Sequence, residues 1–247
     1  MAKDFTNANI VVLTGAGISA ASGIKTFRAQ DGLWEQHPIE DVATPEGYQR
    51  NPDLVDAFYN QRRAQLQLAT TQPNAAHKAL ARLEQAHKGR LFVITQNVDD
   101  LHERAGSKQV LHMHGELTKG RCPVTMNSYH MYEDFSVSTR CPCCEQPQRL
   151  RPNIVWFGEM PIGMGQIERA ITECDLFISV GTSGTVYPAA GFVRLAKSFN
   201  ASTIDVNLES SFAEPFDFQY QGCATQTLPR LVEQILAGEQ LETNEIA

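Results

Sequence analysis

The run Ile10-Val11-Val12-Leu13-Thr14 leads without a break into Gly15-Ala16-Gly17-Ile18-Ser19-Ala20. A short unbroken β-branched run reads as a strand buried on both faces, as in a parallel sheet. The G-x-G-x-x-A turn behind it must reverse the chain tightly and open a helix. In such a turn the first glycine permits the tight geometry. The second removes a Cβ where a ligand has to come close, and the helix N-terminus can face a pyrophosphate. Glycine turns are common after strands, so the motif alone is weak. Its place after the first strand favours dinucleotide binding.

Three more runs repeat the strand pattern: Leu91-Phe92-Val93-Ile94-Thr95, Leu176 to Gly181, and Thr203-Ile204-Asp205-Val206-Asn207. Helical stretches separate them. One opens at Asn74, a plausible cap, and stops at Gly89; others cover Ile167 to Cys174, Ala189 to Phe199, and Thr227-Leu228-Pro229 to Gly238. The alternation predicts an α/β fold, a Rossmann-like doubly wound parallel sheet. Two regions break it. Residues 25–71 hold a loop and a long helix, and residues 116–150 hold most of the cysteines. Together they predict a smaller inserted module, part helical and part cysteine-rich, that could bind zinc. The expected organisation is one catalytic domain over 1–247. Its large lobe is formed by about 1–24, 72–115 and 151–247, and its small lobe by about 25–71 and 116–150.

With 42% hydrophobic and 20% charged residues and a net charge of -7, the chain has the profile of a soluble globular protein. It has no basic stripe, so nucleic acid is not an expected partner. Met1 to Asn9 contains no apolar segment of a secretory signal, and no run is long enough to span a membrane, so a cytoplasmic location is expected. Cys122, Cys141, Cys143 and Cys144 fall in one stretch, which favours a metal site over disulfides and leaves free thiols as the competing reading.

An ordinary dehydrogenase is disfavoured. A second strand ending in an acid should follow the glycine turn by about 20 residues. The chain instead reads Gly23-Ile24-Lys25-Thr26-Phe27-Arg28-Ala29-Gln30-Asp31-Gly32-Leu33-Trp34, a polar loop better suited to covering a cofactor. His112 and His114 would share one side of an extended segment, open to metal binding or to proton transfer. Asn51-Pro52 starts a helix on which Tyr59 and Arg62 share a face. The pair could clamp a carboxylate, or Tyr59 could be half-buried and Arg62 solvated.

The chain resembles the sirtuins, the NAD-dependent protein-lysine deacylases, over about Asn9 to Gly238. The resemblance rests on Gly15-Ala16-Gly17-Ile18-Ser19, Gly23-Ile24 with Phe27-Arg28, Gln96-Asn97-Val98-Asp99, His112-Met113-His114-Gly115, Val155-Trp156-Phe157-Gly158-Glu159, Gly181-Thr182-Ser183 and Asn207-Leu208-Glu209, in the family's order. It implies an enzyme that consumes NAD. The acyl-lysine oxygen attacks the ribose carbon as nicotinamide leaves, an alkylimidate forms, a histidine deprotonates a ribose hydroxyl that then attacks it, and water finishes the reaction. The products are free lysine, nicotinamide and O-acyl-ADP-ribose.

Residue by residue, the resemblance implies that Gly15, Ala16, Gly17, Ile18, Ser19, Gly23, Phe27, Arg28 and Trp34 hold NAD. Gln96, Asn97, Val98 and Asp99 line the nicotinamide end, with Asn97 catalytic. Asn97 or Asp99 could equally cap the helix through Leu101. Gly181, Thr182 and Ser183 take phosphate or ribose, and Asn207, Leu208, Glu209 and Ala224 the adenosine. The base directly before glycine selects His114 over His112, leaving His77, His87, His102 and His130 as surface or capping residues. Val155, Trp156, Phe157 and Gly158 would pair with a substrate peptide by strand addition, against the alternative of a core strand. Tyr59-x-x-Arg62 matches the subgroup that accepts succinyl-, malonyl- and glutaryl-lysine.

The family's structural zinc uses two C-x-x-C pairs. Cys141 and Cys144 keep the second. In the first, Cys122 remains and Thr125 replaces a thiolate. Cys122, Cys141 and Cys144 are the expected ligands, with Cys143 or His130 as a fourth, or no metal at all. Acylated-lysine proteins are the expected partners, and oligomeric state is not legible. Two other functions compete: ADP-ribosyl transfer or NAD hydrolysis in the same pocket, and a non-catalytic NAD-sensing module.

Overall fold

A computed structural model describes residues 4–24, 37–209 and 216–242. In chain order the strands are β1 (Ile10–Thr14), β2 (Leu91–Thr95), β3 (Val110–His112), β4 (Gly115–Arg121), β5 (Ser128–His130), β6 (Arg151–Ile154), β7 (Leu176–Val180), β8 (Ser202–Asn207) and β9 (Phe218–Gln221). The α-helices are α1 (Ala16–Ser19), α2 (Ile39–Val42), α3 (Pro45–Arg50), α4 (Pro52–Leu66), α5 (Ala75–Ala86), α6 (Leu101–Ala105), α7 (Met164–Thr172), α8 (Phe192–Ser198) and α9 (Ala224–Ala237).

Among the described residues, six strands form one parallel sheet in the order β3-β2-β1-β7-β8-β9. The chain builds outward from β1 to one side and then returns to build the other. The strand order therefore reverses between β1 and β7, which is where open α/β sheets form their ligand crevice. Alternate residues of β1 face opposite layers. Ile10 and Val12 pack with Leu80 and Leu83 of α5 and Leu231 and Ile235 of α9. Val11 and Leu13 pack with Ile167 and Ile171 of α7 and Val193 of α8. Both faces are covered, which accounts for the unbroken apolar runs.

The helix starts follow local chemistry. Asn74 caps α5 by accepting from the Ala76 amide, and His77 completes a capping box with the Asn74 amide. Asn51 accepts from the Leu54 amide ahead of Pro52 at the start of α4. The last helix departs from expectation. It begins at Ala224, not at Thr227, and carries Pro229 inside it. The apolar face that buries Ala224, Leu228, Leu231 and Ile235 holds the extra turn in place.

A second, antiparallel sheet has the order β5-β4-β6, with a register shift between Glu116 and Gly120. Helix α4 is bolted to the segment after β5. Arg63, its side chain buried, donates to the carbonyls of Met131 and Glu133, and Asn60 exchanges bonds with Phe135. Arg149 ties Asp53 and the buried Asp56 of the same helix. Among the described residues no helix is long and apolar enough to cross a membrane.

Candidate active site

Strands β1, β2, β7 and β8 are parallel and in step: Thr14 pairs with Thr95 and with Val180, and Val180 with Val206. The segments that follow them are the ones singled out in the sequence, 15–19, 96–99, 181–183 and 207–209. They therefore share one edge of the sheet at the strand-order reversal.

The glycines there have a packing role that the motif does not announce. A Cβ on Gly17 would lie 2.7 Å from the Gly181 Cα, and one on Gly15 2.8 Å from the Gly181 oxygen. The two turns pack backbone on backbone, so the missing side chains serve the fold directly. The amides of Gly15 and Gly17 donate to Val180 and Gly181, and the Ile18 amide to Gly15. Those three amides are used inside the protein, and Ile18 itself is fully buried in the core.

Ser19 is the centre of a buried polar cluster. Its hydroxyl donates to Asp99 at 3.0 Å and accepts from the Asn97 amide nitrogen at 3.2 Å, with His77 Nε2 at 3.3 Å. Asn97 also donates to the Gly15 carbonyl, and its main-chain amide to the Thr95 hydroxyl. Asp99 accepts from the Leu101 amide at the start of α6, although the N-cap position itself is Asp100, whose side chain makes no cap bond. Burial raises the Asp99 carboxyl to about 6 against those hydrogen bonds. Gln96 is half-buried and its amide donates to Thr14.

His114 is half-buried beside this cluster. Its Nδ1 lies 3.1 Å from the Gln96 carbonyl. A carbonyl only accepts, so Nδ1 carries the proton and Nε2 the lone pair. Burial lowers its pKa, with the Gln96 carbonyl opposing, which leaves a neutral imidazole at neutral pH. His112 has both ring nitrogens occupied, Nδ1 at 3.1 Å from the Asn97 carbonyl and Nε2 at 2.8 Å from Glu103. A His-x-His metal site is thereby ruled out as the ring stands. Of the histidines expected at the surface or as caps, His77 and His87 cap the two ends of α5, while His102 is neither a cap nor at the surface. All three are buried, and His102 hydrogen-bonds Thr14 at 3.0 Å. Helices α5 and α6 turn His77 and His102 inward toward Ser19 and Thr14, and His87 Nε2 lies 2.8 Å from the Ala8 carbonyl. His130 is exposed at the edge strand β5, outside the cysteine group.

One cavity unites the cluster with α4. Ala16, Ser19, Asn97, Val98 and Asp99 line one part, and Phe58, Tyr59 and Arg62 another, closed by the apolar Leu66, Leu117 and Ile154. Tyr59 is buried and accepts from the Trp156 indole at 3.0 Å. Arg62 lies over the Phe58 ring, its guanidinium carbon 3.2 Å from the centroid, and donates to the Phe58 carbonyl. Burial lowers its pKa to about 10, partly opposed by Tyr59, and it remains a cation at neutral pH. Phe58 is a lining residue that the sequence reading missed, since an aromatic on a helix face signals only core.

Beyond β6, Val155 donates to His114 and Phe157 to Ala43, while Glu159 accepts from the Trp156 amide and pairs with Arg151 and Arg121. The segment is therefore neither a free strand nor a core strand. Trp156 is buried, and Phe157 and Gly158 are exposed. At Gly158 the backbone has φ of 89° and a Cβ would meet nothing within 4 Å.

At the other end, Thr182 is buried, Ser183 bonds Thr185, and the Asn207 side chain joins the Thr182 carbonyl to the Leu208 amide. Leu208 and Glu209 are exposed, and Ala224 is the buried first residue of α9. Gly23 ends the first helical turn with φ of 82°. Phe27, Arg28 and Trp34 lie outside the described residues.

The cysteine group is more complete than the spacing implied. The sulfurs of Cys122, Cys141, Cys143 and Cys144 all lie within 4.8 Å of one another, with Cys122 to Cys144 at 3.7 Å and Cys143 to Cys144 at 3.9 Å. Four thiolates around one zinc would be about 3.8 Å apart, given Zn–S bonds near 2.3 Å. Cys143 supplies the fourth sulfur. Thr125 stands 3.0 Å from it and its amide donates to Cys122, so it supports the group from outside. Burial resists ionisation of Cys122, but the Thr125 and Val124 hydrogen bonds outweigh it and bring the thiol down to about 6.

A family model described as the Sir2 family matches residues 15–188, more than half of the chain. The chain belongs to the Sir2 family. A protein of Shewanella oneidensis, named NAD-dependent protein deacylase, is 59% identical over 93% of this chain and 95% of its own. Among solved Sir2 structures, a homologue in complex with NAD is 36% identical, with a TM-score of 0.81 over 94% of this chain and 91% of its own. Sir2Af2 bound to a myristoylated histone peptide is 34% identical, with a TM-score of 0.70 over 94% of this chain and 92% of its own.

Proposed function

We propose that this chain removes acyl groups from protein lysines at the expense of NAD, and that its acyl pocket takes acetyl and also succinyl, malonyl and glutaryl groups. Family membership and the deacylase relatives support the first part. One observation carries the second: Arg62, a desolvated cation, lines the same cavity as Asn97 and Asp99. A distal carboxylate on the acyl chain answers that charge with a bidentate hydrogen bond.

NAD, when bound, supplies an electrophilic ribose carbon whose nicotinamide leaves and whose ribose accepts the acyl group. The residues fit it. The edge shared by 15–19, 96–99, 181–183 and 207–209 spans the crevice from Asn97 to Ala224, and the acidic and amide groups of Asn97 and Asp99 suit a carboxamide. His114 receives a proton at Nε2 and acts as general base. The Gly15 carbonyl and Ser19, itself anchored on Asp99, hold the Asn97 side chain. Val155 to Gly158 receives the substrate backbone. Its Val155, Trp156 and Phe157 amides and the Trp156 carbonyl are engaged within the protein, and the exposed Gly158 leaves room for the peptide backbone. The four cysteines would hold a structural zinc that stiffens the small sheet and takes no part in the chemistry.

Replacing Arg62 with Met tests the acyl assignment. Desuccinylation should fall by about a hundredfold, the loss of a charged hydrogen bond, with deacetylation changed by no more than about threefold. Equal losses on both peptides would overturn it.

A further inference from the structure

Two histidines two residues apart each grip a carbonyl of the same loop, yet only one has a carboxylate on its other nitrogen. His112 reaches from the end of β3 to the main-chain oxygen of Asn97 at 3.1 Å and to Glu103 of α6 at 2.8 Å. We propose that His112 is a positioning residue: as an imidazolium held by Glu103, it donates to the Asn97 carbonyl and fixes Asn97 in the active-site cavity. The inference rests on the reading of Asn97 as a residue of the NAD site.

Both partners of the ring can only accept, so both nitrogens must donate and the ring must be charged. A neutral ring has one proton. Beside a carboxylate that proton stays on Nε2, where the hydrogen bond is charge-assisted. The Nδ1 lone pair then faces the Asn97 carbonyl, and the two repel. Asn97 is a buried residue whose other bonds run to Thr95, Gly15 and Ser19, so a push on its carbonyl acts on the side chain directly.

The charged groups around the ring favour the imidazolium. Burial opposes it, but Glu103 and, more weakly, Glu116 raise the His112 pKa above its ordinary value. Asp99 faces it from the loop. His102 of α6 is held neutral by burial, and Lys119, paired with Glu116, acts on Glu103 from β4. At His114 burial prevails and the ring is neutral. Adjacent environments thus set two charge states, one for placement and one for proton transfer.

The test uses kcat/KM for NAD at saturating acetyl-lysine peptide, from roughly pH 6 to 9.5. His112→Asn keeps a donor at the Nδ1 position, and His112→Gln keeps one at the Nε2 position. The Asn variant should stay within about threefold of the parent at neutral pH, and the Gln variant should lose about tenfold through misplacement of Asn97, with the peptide KM unchanged. The parent should lose activity at alkaline pH as His112 deprotonates. His112→Asn should lack that fall, having no proton to lose. Glu103→Ala, at an exposed position, should lack it too, because a neutral ring can then put its proton on Nδ1. Equal impairment of the Asn and Gln variants, unimpaired activity in both, or an alkaline fall that survives in His112→Asn would overturn the proposal. Asn97→Ala separates the two readings. If it remains active, the assignment of Asn97 fails; if it is inactive while the Asn and Gln variants match, only the role of His112 fails.

Discussion

His114 Nδ1 sits 3.1 Å from the carbonyl oxygen of Gln96, which fixes the ring with its lone pair on Nε2. Burial lowers the pKa, so the basic form is present throughout the neutral range. The acid limb of the activity profile, set by His114, should therefore rise with pH through a midpoint below about 6.5 and be complete at neutral pH, ahead of the alkaline fall assigned to His112. His114→Asn should lose about a hundredfold or more in kcat, the usual worth of a general base. A pH–rate profile of kcat checks both, and a midpoint above 7 or an active Asn variant contradicts the assignment.

Gly17 and Gly181 hold β1 and β7 together at the crevice. A methyl group on Gly17 would have to enter the Gly181 backbone, which cannot rotate away. Gly17→Ala should destabilise the fold by about 1–3 kcal/mol, and thermal unfolding should show it even without NAD. A variant with unchanged melting but weakened NAD binding would return the glycine to the ligand-clearance role expected from its motif.

The cysteine group predicts about one zinc per chain in purified protein. Cys143→Ser should lower the metal content as much as Cys122→Ser, and Thr125→Ala should weaken retention less. Elemental analysis decides it. No zinc in the parent protein, or full retention in Cys143→Ser, would show that these four thiols are not a metal site.

The central strands, though not their order, were legible because β1, β2, β7 and β8 are covered on both faces and read as mostly apolar, β-branched runs. The edge strands were not. β3 is three residues long, and β9 reads Phe-Gln-Tyr-Gln with only Tyr220 fully buried, a pattern that a loop can also carry. The neighbouring Arg62 and Arg63 look alike in sequence. Only the packing of α4 sends one to the cavity and the other to the carbonyls of Met131 and Glu133.

The site shows the same division. Gln96 to Asp99 and His114 were marked by motifs that chemistry constrains locally. The Glu103–His112 pair was invisible, because nothing in a nine-residue separation says that α6 folds back onto β3. Cys143 could not be ranked above His130 by spacing, since three sulfurs on a short loop and one on β4's far end meet only in space.

Mass spectrometry of the purified protein incubated with NAD and matched acetyl- and succinyl-lysine peptides follows the deacylation itself. Both peptides should lose their acyl groups, with nicotinamide and O-acyl-ADP-ribose formed in equal amounts. Intact peptides with NAD consumed would assign the pocket to hydrolysis or ADP-ribosyl transfer, and intact NAD as well would contradict catalysis altogether.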